Sequence, residues 1–405
     1  MAALATPLPA ERDPVRLPQN PVILVGLVVI VAVGLWIQHT ASTRLALLFA
    51  TGTALGVVLY QSLFGFTSAF RVLLADGRSV GFRAQLIMLG AACLLFFPAL
   101  AGGSLFGGPV TGFVSPVGVS VAVGSFVFGI GMQLGGGCAS GTLFSVGGGS
   151  TRMVLTLLFF IVGSVVGITH LTWWQTLASF PPISLVATLG WPVALALNVV
   201  VFATAYLVVA HIERARHGTV APIATIKDGA WLRGPWPLLA GALGLAVLNF
   251  VTLCLAGRPW GITSAFGLWG GMALQAVGVP VGTWPGFATP EMQKELAGSV
   301  LSDITSVMDI GILLGAMLCA GLAGKFKPVW RISGRHFMAS VLGGLLLGYG
   351  ARLAYGCNIG AFFSGVASGS VHGWLWIVFA LLGNWTALYL RPYFDLPVPR
   401  AQAES

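Results

Sequence analysis

Two short stretches of the chain carry the residues best suited to chemistry, and their spacing matches. The first reads Gly137-Cys138-Ala139-Ser140-Gly141-Thr142-Leu143-Phe144-Ser145 and the second Gly356-Cys357-Asn358-Ile359-Gly360-Ala361-Phe362-Phe363-Ser364. A thiol is a soft group with a weak S–H donor. The glycines around it expose the backbone and allow φ values closed to other residues. Backbone N–H groups at the start of a following short helix make an anion cradle, where a thiol also ionises more easily. That combination suits a small anion that itself carries sulfur better than it suits sodium or chloride. The second stretch adds Asn358 next to its cysteine, Arg352 five residues earlier, and Tyr349 and Tyr355. Arg258 stands just before a related segment. An arginine at membrane depth is costly and is by default a pathway or pairing residue. The candidate substrate pathway is therefore Cys138, Gly137, Gly141 and Ser145 with Cys357, Gly356, Asn358, Gly360, Ser364, Arg352 and Arg258. The plainer alternatives are cysteines used as small packing residues and arginines snorkelling to the interface.

Other chemistries find little support. No GxxxxGK[ST] occurs, so nucleotide-driven transport is not expected of this chain. The six histidines (39, 170, 211, 217, 336 and 372) sit at loop ends, and none is spaced with a carboxylate and a third ligand, so neither a metal nor another cofactor is expected. Cys93, Cys254 and Cys319 lie in apolar segments; an odd count of five cysteines without CxxC indicates thiols rather than a disulfide scaffold. Asp309, at the outer end of a predicted span, is the carboxylate to consider for proton coupling; the other acids fall in predicted loops. The net charge of +9 is spread between apolar segments without a basic run carrying exposed aromatics, which argues against nucleic acid.

The elements that must position these residues follow from composition. Of 405 residues 57% are hydrophobic and 8% charged, with a mean hydropathy of +0.92. So few charges cannot cover a water-facing surface, which excludes a soluble enzyme. The 56 glycines fit membrane helices packed at close range. Ten stretches meet the need for about 20 apolar residues per span: 21–38, 43–62, 83–100, 118–134, 152–170, 185–210, 237–256, 307–324, 336–353 and 371–390. Shorter glycine-rich pieces at 63–71, 135–149, 257–279 and 354–369 are expected to be re-entrant or half-helical, buried in protein or lining a cavity. The N-terminal tail, with its acids and prolines, does not read as a cleavable signal peptide, and Pro21 is expected to open the first helix. Trp173, Trp174, Trp191, Trp231 and Trp236 fall near predicted interfaces.

Orientation follows from the loop cations. The linkers 211–236 (Arg214, Arg216, Lys227, Arg233), 325–335 (Lys325, Lys327, Arg331, Arg335) and 71–83 (Arg71, Arg78, Arg83) are basic, whereas 101–117 and 171–184 carry no charge. Basic linkers are expected in the cytoplasm, with Arg71 and Arg152 flanking the inner face. Both termini then lie inside, in agreement with Arg12, Arg16, Arg391 and Arg400. Loop 280–306, with Glu291, Lys294, Glu295 and Asp303, is placed outside on its weak acidic bias.

A second text is also doubled: Phe66-Thr67-Ser68-Ala69-Phe70 returns as Ile262-Thr263-Ser264-Ala265-Phe266. In each half a TSAF text precedes the cysteine text, and the span before each runs in opposite senses in the two halves. The expected architecture is all-α and polytopic, with two inverted repeats. The segments are a tail and first span (1–42), a first half (43–170), a connecting span and cytoplasmic linker (171–236), a second half (237–390) and a cytoplasmic tail (391–405).

The doubled Gly-Cys-x-x-Gly with nearby Phe-Ser, preceded by TSAF-like text, resembles the YeeE/YedE family of sulfur-compound transporters over roughly 43–170 and 237–390. The resemblance implies an hourglass of helices with re-entrant helices pointing at a central constriction. It also implies uptake of thiosulfate across the bacterial inner membrane by hydrogen bonds to successive cysteine thiols, and a small cytosolic sulfurtransferase-like partner protein. The central cysteines carry over to Cys138 and Cys357. The family's further Phe-Cys-Phe-x-x-Ala pattern reads Phe64-Gly65-Phe66-Thr67-Ser68-Ala69 here, so Gly65 replaces a cysteine. That departure keeps selenium compounds or other sulfur species open as substrates. A membrane thiol redox protein, an assembly protein and a transporter of an unrelated solute are the other readings.

Overall fold

The computed structural model describes residues 17–225 and 230–399; Arg12, Arg16, Lys227 and Arg400 lie outside the described residues. Among the described residues ten helices are long and apolar enough to cross a membrane. The chain is a polytopic, almost wholly helical membrane protein. Helix α1 (Asn20–Thr40) carries Pro21 in its first turn, where a missing N–H costs nothing. It is followed by α2 (Thr43–Ser62), α3 (Phe66–Asp76), α4 (Val80–Gly102), α5 (Val119–Gly135), α6 (Ala139–Gly147) and α7 (Thr151–Trp174). Next come α8 (Leu185–Leu189), α9 (Trp191–His217), α10 (Ala230–Arg233), α11 (Leu238–Ala256), α12 (Thr263–Ala276), α13 (Pro290–Leu296), α14 (Ile304–Leu322) and α15 (Gly334–Leu353). A π-helix (Asn358–Ser364), the single turn α16 (Gly365–Ala367) and α17 (Val371–Leu390) complete the bundle. Two antiparallel ladders, Ser104–Leu105 with Gly108–Pro109 and Val117–Gly118 with Ser179–Phe180, tie loops together.

The glycine-rich pieces are short helices, as their length requires. Two details differ from the sequence expectation. The stretch 185–210 is broken at Gly190, whose φ of 76° suits glycine, and its second part runs on to His217. Arg214, Arg216 and His217 thus sit in the last turn of α9, where cations favour the helix dipole, rather than in a linker. The acids are also not confined to loops. Glu213 is fully buried in α9, accepts from Ser79 N at 3.1 Å and Ala221 N at 3.1 Å, and pairs with Arg83 at 3.2 Å. With all these donors the pair fastens α9 to α4, and removing one partner would strand a buried charge. His372, too, is fully buried, with Nδ1 2.6 Å from the Ser370 hydroxyl.

Bundle packing depends on glycine because lipid offers no hydrophobic drive between helices, so backbones must come close. Gly52 and Gly56 of α2 face Met308 and Ile312 of α14, while Gly311 of the same α14 faces Phe49 and Thr53 of α2. A Cβ on Gly311 would lie 2.6 Å from the Phe49 carbonyl. The crossing of α5 and α15 is equally tight: a Cβ on Gly350 would be 2.5 Å from the Gly124 oxygen and 2.7 Å from Phe128 N.

The pattern of partners has a regularity. Helix α2 packs on α14 as α11 packs on α4; α15 packs on α7 as α5 packs on α17; α12 packs on α7 as α3 packs on α17. Helix α6 packs on α14 as α16, at the end of the π-helix, packs on α4, and α6 touches the π-helix itself.

Candidate functional site

Both cysteines sit in the same kind of turn. Helix α5 ends at Gly135; Gly136 then adopts a left-handed φ of 92°, Gly137 follows, and Cys138 is the extended N-cap of α6 with φ −81° and ψ −170°. Helix α15 ends at Leu353; Tyr355 adopts the left-handed φ of 57°, Gly356 follows at φ 149°, and Cys357 is the extended N-cap of the π-helix with φ −101° and ψ −167°. A side chain at Gly356 is excluded by that backbone. Each thiol therefore sits at the head of a short helix, whose first N–H groups have no intrahelical partner. Cys138 Sγ is 3.4 Å from Ser140 Oγ, and Ile359 N donates to Cys357 Sγ at 3.4 Å. Both residues are buried, at 1% and 0% exposure, and both thiols are free. The two short helices that they head touch each other.

The glycine three residues after each cysteine leaves room beside it. A Cβ on Gly141 would meet only the Cys138 sulfur, at 3.5 Å, and a Cβ on Gly360 would meet nothing within 4 Å. Gly137 is confined instead, since a Cβ there would be 2.9 Å from the Met153 methyl. The half-buried Ser145 uses its carbonyl to accept from Ser150 N at 3.0 Å. The two short helices differ in winding. Thr142 closes the first with both its N–H and its hydroxyl on the Cys138 carbonyl, each at 2.8 Å. In the second, Ala361 N and Phe362 N share the Cys357 carbonyl, at 2.9 and 3.3 Å, and the helix widens to the π form common at functional sites.

Asn358 is fully buried, and neither its Oδ1 nor its Nδ2 finds a partner among the described residues. A carboxamide left empty beside a thiol is a ready contact for an oxyanion. Ser364 is occupied otherwise: its hydroxyl donates to the Trp260 carbonyl at 2.7 Å and accepts from Asn249 Nδ2 at 3.2 Å, while Trp260 N donates to Asn249 Oδ1 at 2.9 Å. This triad anchors the π-helix to α11. Arg352 donates from Nη2 to the Thr263 carbonyl and, at 3.3 Å, to that of Ser264. Arg258 donates to Thr305 Oγ1 at 3.1 Å, and Ser264 meets the same hydroxyl at 2.9 Å. The two arginines thus gather around the TSAF text of α12, with Glu295 of α13 within electrostatic reach of both.

Several residues escaped the sequence reading. Gln133, five before Cys138 as Arg352 is five before Cys357, donates from Nε2 to the Thr67 carbonyl at 3.0 Å and to Asn384 Oδ1 at 2.6 Å. Arg391 then donates to the Gln133 carbonyl at 2.6 Å, and Arg152 to that of Leu134 at 2.8 Å, so two cations close the carbonyl end of α5. The equal offset from each cysteine was the available signal. A run of buried aromatics backs the site: Phe266 on Phe160 at 4.8 Å, Phe160 on Phe128 at 6.2 Å, Phe128 on Trp376 at 5.6 Å and Trp376 on Phe362 at 6.0 Å. At Gly65 a Cβ would fall 2.5 Å from Ser68 Oγ, so that hydroxyl occupies the space a cysteine side chain would need.

Known proteins resemble this chain in sequence. A family model described as sulphur transport matches residues 61–386. A thiosulfate transporter TsuA from Spirochaeta thermophila is 30% identical over 350 residues, covering 84% of this chain and 96% of the relative. The Escherichia coli thiosulfate transporter TsuA is 25% identical over 353 residues, 84% of this chain and 94% of its own length. A probable transporter YedE from Escherichia coli is 32% identical over 171 residues, 42% of each chain. With the match extending from α2 to α17 and including both cysteine turns, the chain belongs to the sulphur transport family.

Proposed function

We propose that this protein takes up a small sulfur-containing anion, thiosulfate first among them, across the bacterial inner membrane by passing it between the Cys138 and Cys357 thiols. The observation that carries this reading is the pair of equivalent turns, each with a buried thiol at a helix head and a glycine that leaves space beside it. Thiosulfate presents oxygens to backbone N–H groups and a terminal sulfur to a thiol. Thiol contacts hold weakly, and weak stations in series allow both entry and release. Relatives of nearly full length named thiosulfate transporters support the substrate.

In this reading the halves 43–170 and 237–390 are inverted repeats, joined by 171–236. The exchange symmetry of the helix contacts supports that relation. The Arg258–Arg352 cluster forms the outer approach, and Arg152 with Arg391 closes the inner one. Both termini and the basic segments 71–83, 211–236 and 325–335, helix ends included, face the cytoplasm, where a small sulfurtransferase-like protein would receive the anion. The role is transport without chemical conversion. Ser68 in the space of a third cysteine favours, as a second reading, a related substrate such as another sulfur species or a selenium compound.

Uptake into proteoliposomes tests this reading, with thiosulfate, sulfate, sulfite and selenite compared side by side. Thiosulfate should enter and sulfate should not compete at equal concentration, because sulfate lacks the terminal sulfur. Equal competition by sulfate would sink the thiol relay, and preference for selenite or sulfite would select the second reading.

A further inference from the structure

We propose that Asp309 is a proton carrier, and that the chain brings its anion in together with a proton. The inference rests on the anion-uptake reading above and concerns how that uptake is driven. An interior negative by 100 mV excludes a single negative charge about 50-fold and a dianion about 2,000-fold. A cation that enters with the anion offsets part of that charge. The carrier of that cation must be an ionisable group inside the bundle, near the anion path and not already committed to a partner.

Among the described residues two carboxyl groups are fully buried, Glu213 and Asp309. Glu213 is locked by Arg83, Ser79 and Ala221. Asp309 has no partner for Oδ1 or for Oδ2 among the described residues. It lies on α14 one turn below Thr305, which Arg258 and Ser264 hold, and α14 packs on α6, the short helix that Cys138 heads. The ionisable groups on the elements packed around α14 offer it no relief. Asp303 at the N-cap of α14 accepts from the Ser306 N–H and hydroxyl, and Arg258 is spent on Thr305. Cys138 lies at the head of α6, and Tyr60 of α2 and Cys319 lie towards the other end of α14. Arg44 of α2 and His39 of α1 are exposed at helix ends, and Arg233 of α10 is also exposed.

An ionised carboxylate in that place lacks every donor it needs, whereas the same group carrying a proton does not. The two ligands therefore help each other. A protonated Asp309 removes the negative charge that would repel an anion at Cys138, and an anion there favours the proton; the linkage is reciprocal. One proton passes from outside water to an Asp309 oxygen and from that oxygen to cytoplasmic water. A dianion then moves with one net negative charge instead of two, and the pH gradient contributes to the drive.

The experiment uses the full chain in proteoliposomes with a pH-sensitive dye in the lumen and the potential clamped. Thiosulfate added outside should acidify the lumen of wild-type vesicles, and one unit of inward pH gradient should speed initial uptake several-fold. D309N should lose that acceleration and the lumenal signal, and D309E should regain part of both. Wild-type uptake with no lumenal acidification, or driven by a sodium gradient instead, would overturn the proposal whatever the variants do. So would a D309N protein, monodisperse like the wild type, that keeps the full pH response. No flux under any gradient would instead overturn the anion-uptake reading on which this one stands.

Discussion

The two cysteine turns perform one structural task with different chemistry. Five residues before each thiol a side chain reaches back to the threonine carbonyl of the TSAF text: Gln133 to Thr67 in the first half, Arg352 to Thr263 in the second. Next to the thiol stands Ala139 in one turn and the unpartnered Asn358 in the other. The same backbone contact is made at both turns, while charge and hydrogen-bonding capacity are concentrated around Cys357. Either side chain is able to make that backbone contact. A guanidinium where a carboxamide would do adds a field that draws anions to one end of the path, which serves directional capture.

That contrast can be broken at four places. The largest effect is expected from Gly141→Leu, which fills the space beside Cys138: uptake should fall to background, more than about 100-fold, while the protein stays monodisperse. Wild-type flux in that variant would mean the anion does not pass the thiol. Second is Gly350→Ala, whose Cβ would press on Gly124 and Phe128 where α5 and α15 cross. Overpacking of this kind costs about 1–3 kcal/mol, read as a lower unfolding temperature in detergent. Third, Arg352→Gln copies Gln133 and should preserve the Thr263 contact. Stability should hold, while KM rises up to about tenfold and uptake loses much of its sensitivity to ionic strength. An unchanged KM would leave Arg352 a structural residue. The smallest effect belongs to Ser364→Ala, which removes one contact of the Asn249–Trp260 triad. A loss of about 0.5–1.5 kcal/mol in stability is expected, with substrate preference unaltered.

Much of this contrast was legible in the residues and part of it was not. Hydropathy located all ten spans, because apolar length is a local property. Glycine density located the half-helices for the same reason, and the repeated order Gly-Cys-x-x-Gly located both turns. What escaped depends on partners far away in sequence. Gln133 reads as a stray polar residue in α5 until Thr67 and Asn384 are seen around it. Arg214 and Arg216 read as a linker because charge counting ends a span at the first cation, whereas helix α9 continues to His217 and Glu213 finds Arg83 across the bundle. The bonds of the Ser364 hydroxyl to Trp260 and Asn249 likewise reach across the sequence. Asp309 was visible as a lone acid, but its complete burial came only from the packing of α14.

The most direct measurement compares initial rates of labelled thiosulfate uptake in proteoliposomes of the wild type, Cys138→Ala and Cys357→Ala. Each thiol acts as one hydrogen bond to a charged species, about 1.5–3 kcal/mol, so each variant should slow roughly 10–150-fold, with Cys138→Ala the slower. A folded Cys138→Ala protein that transports at the wild-type rate would contradict the account.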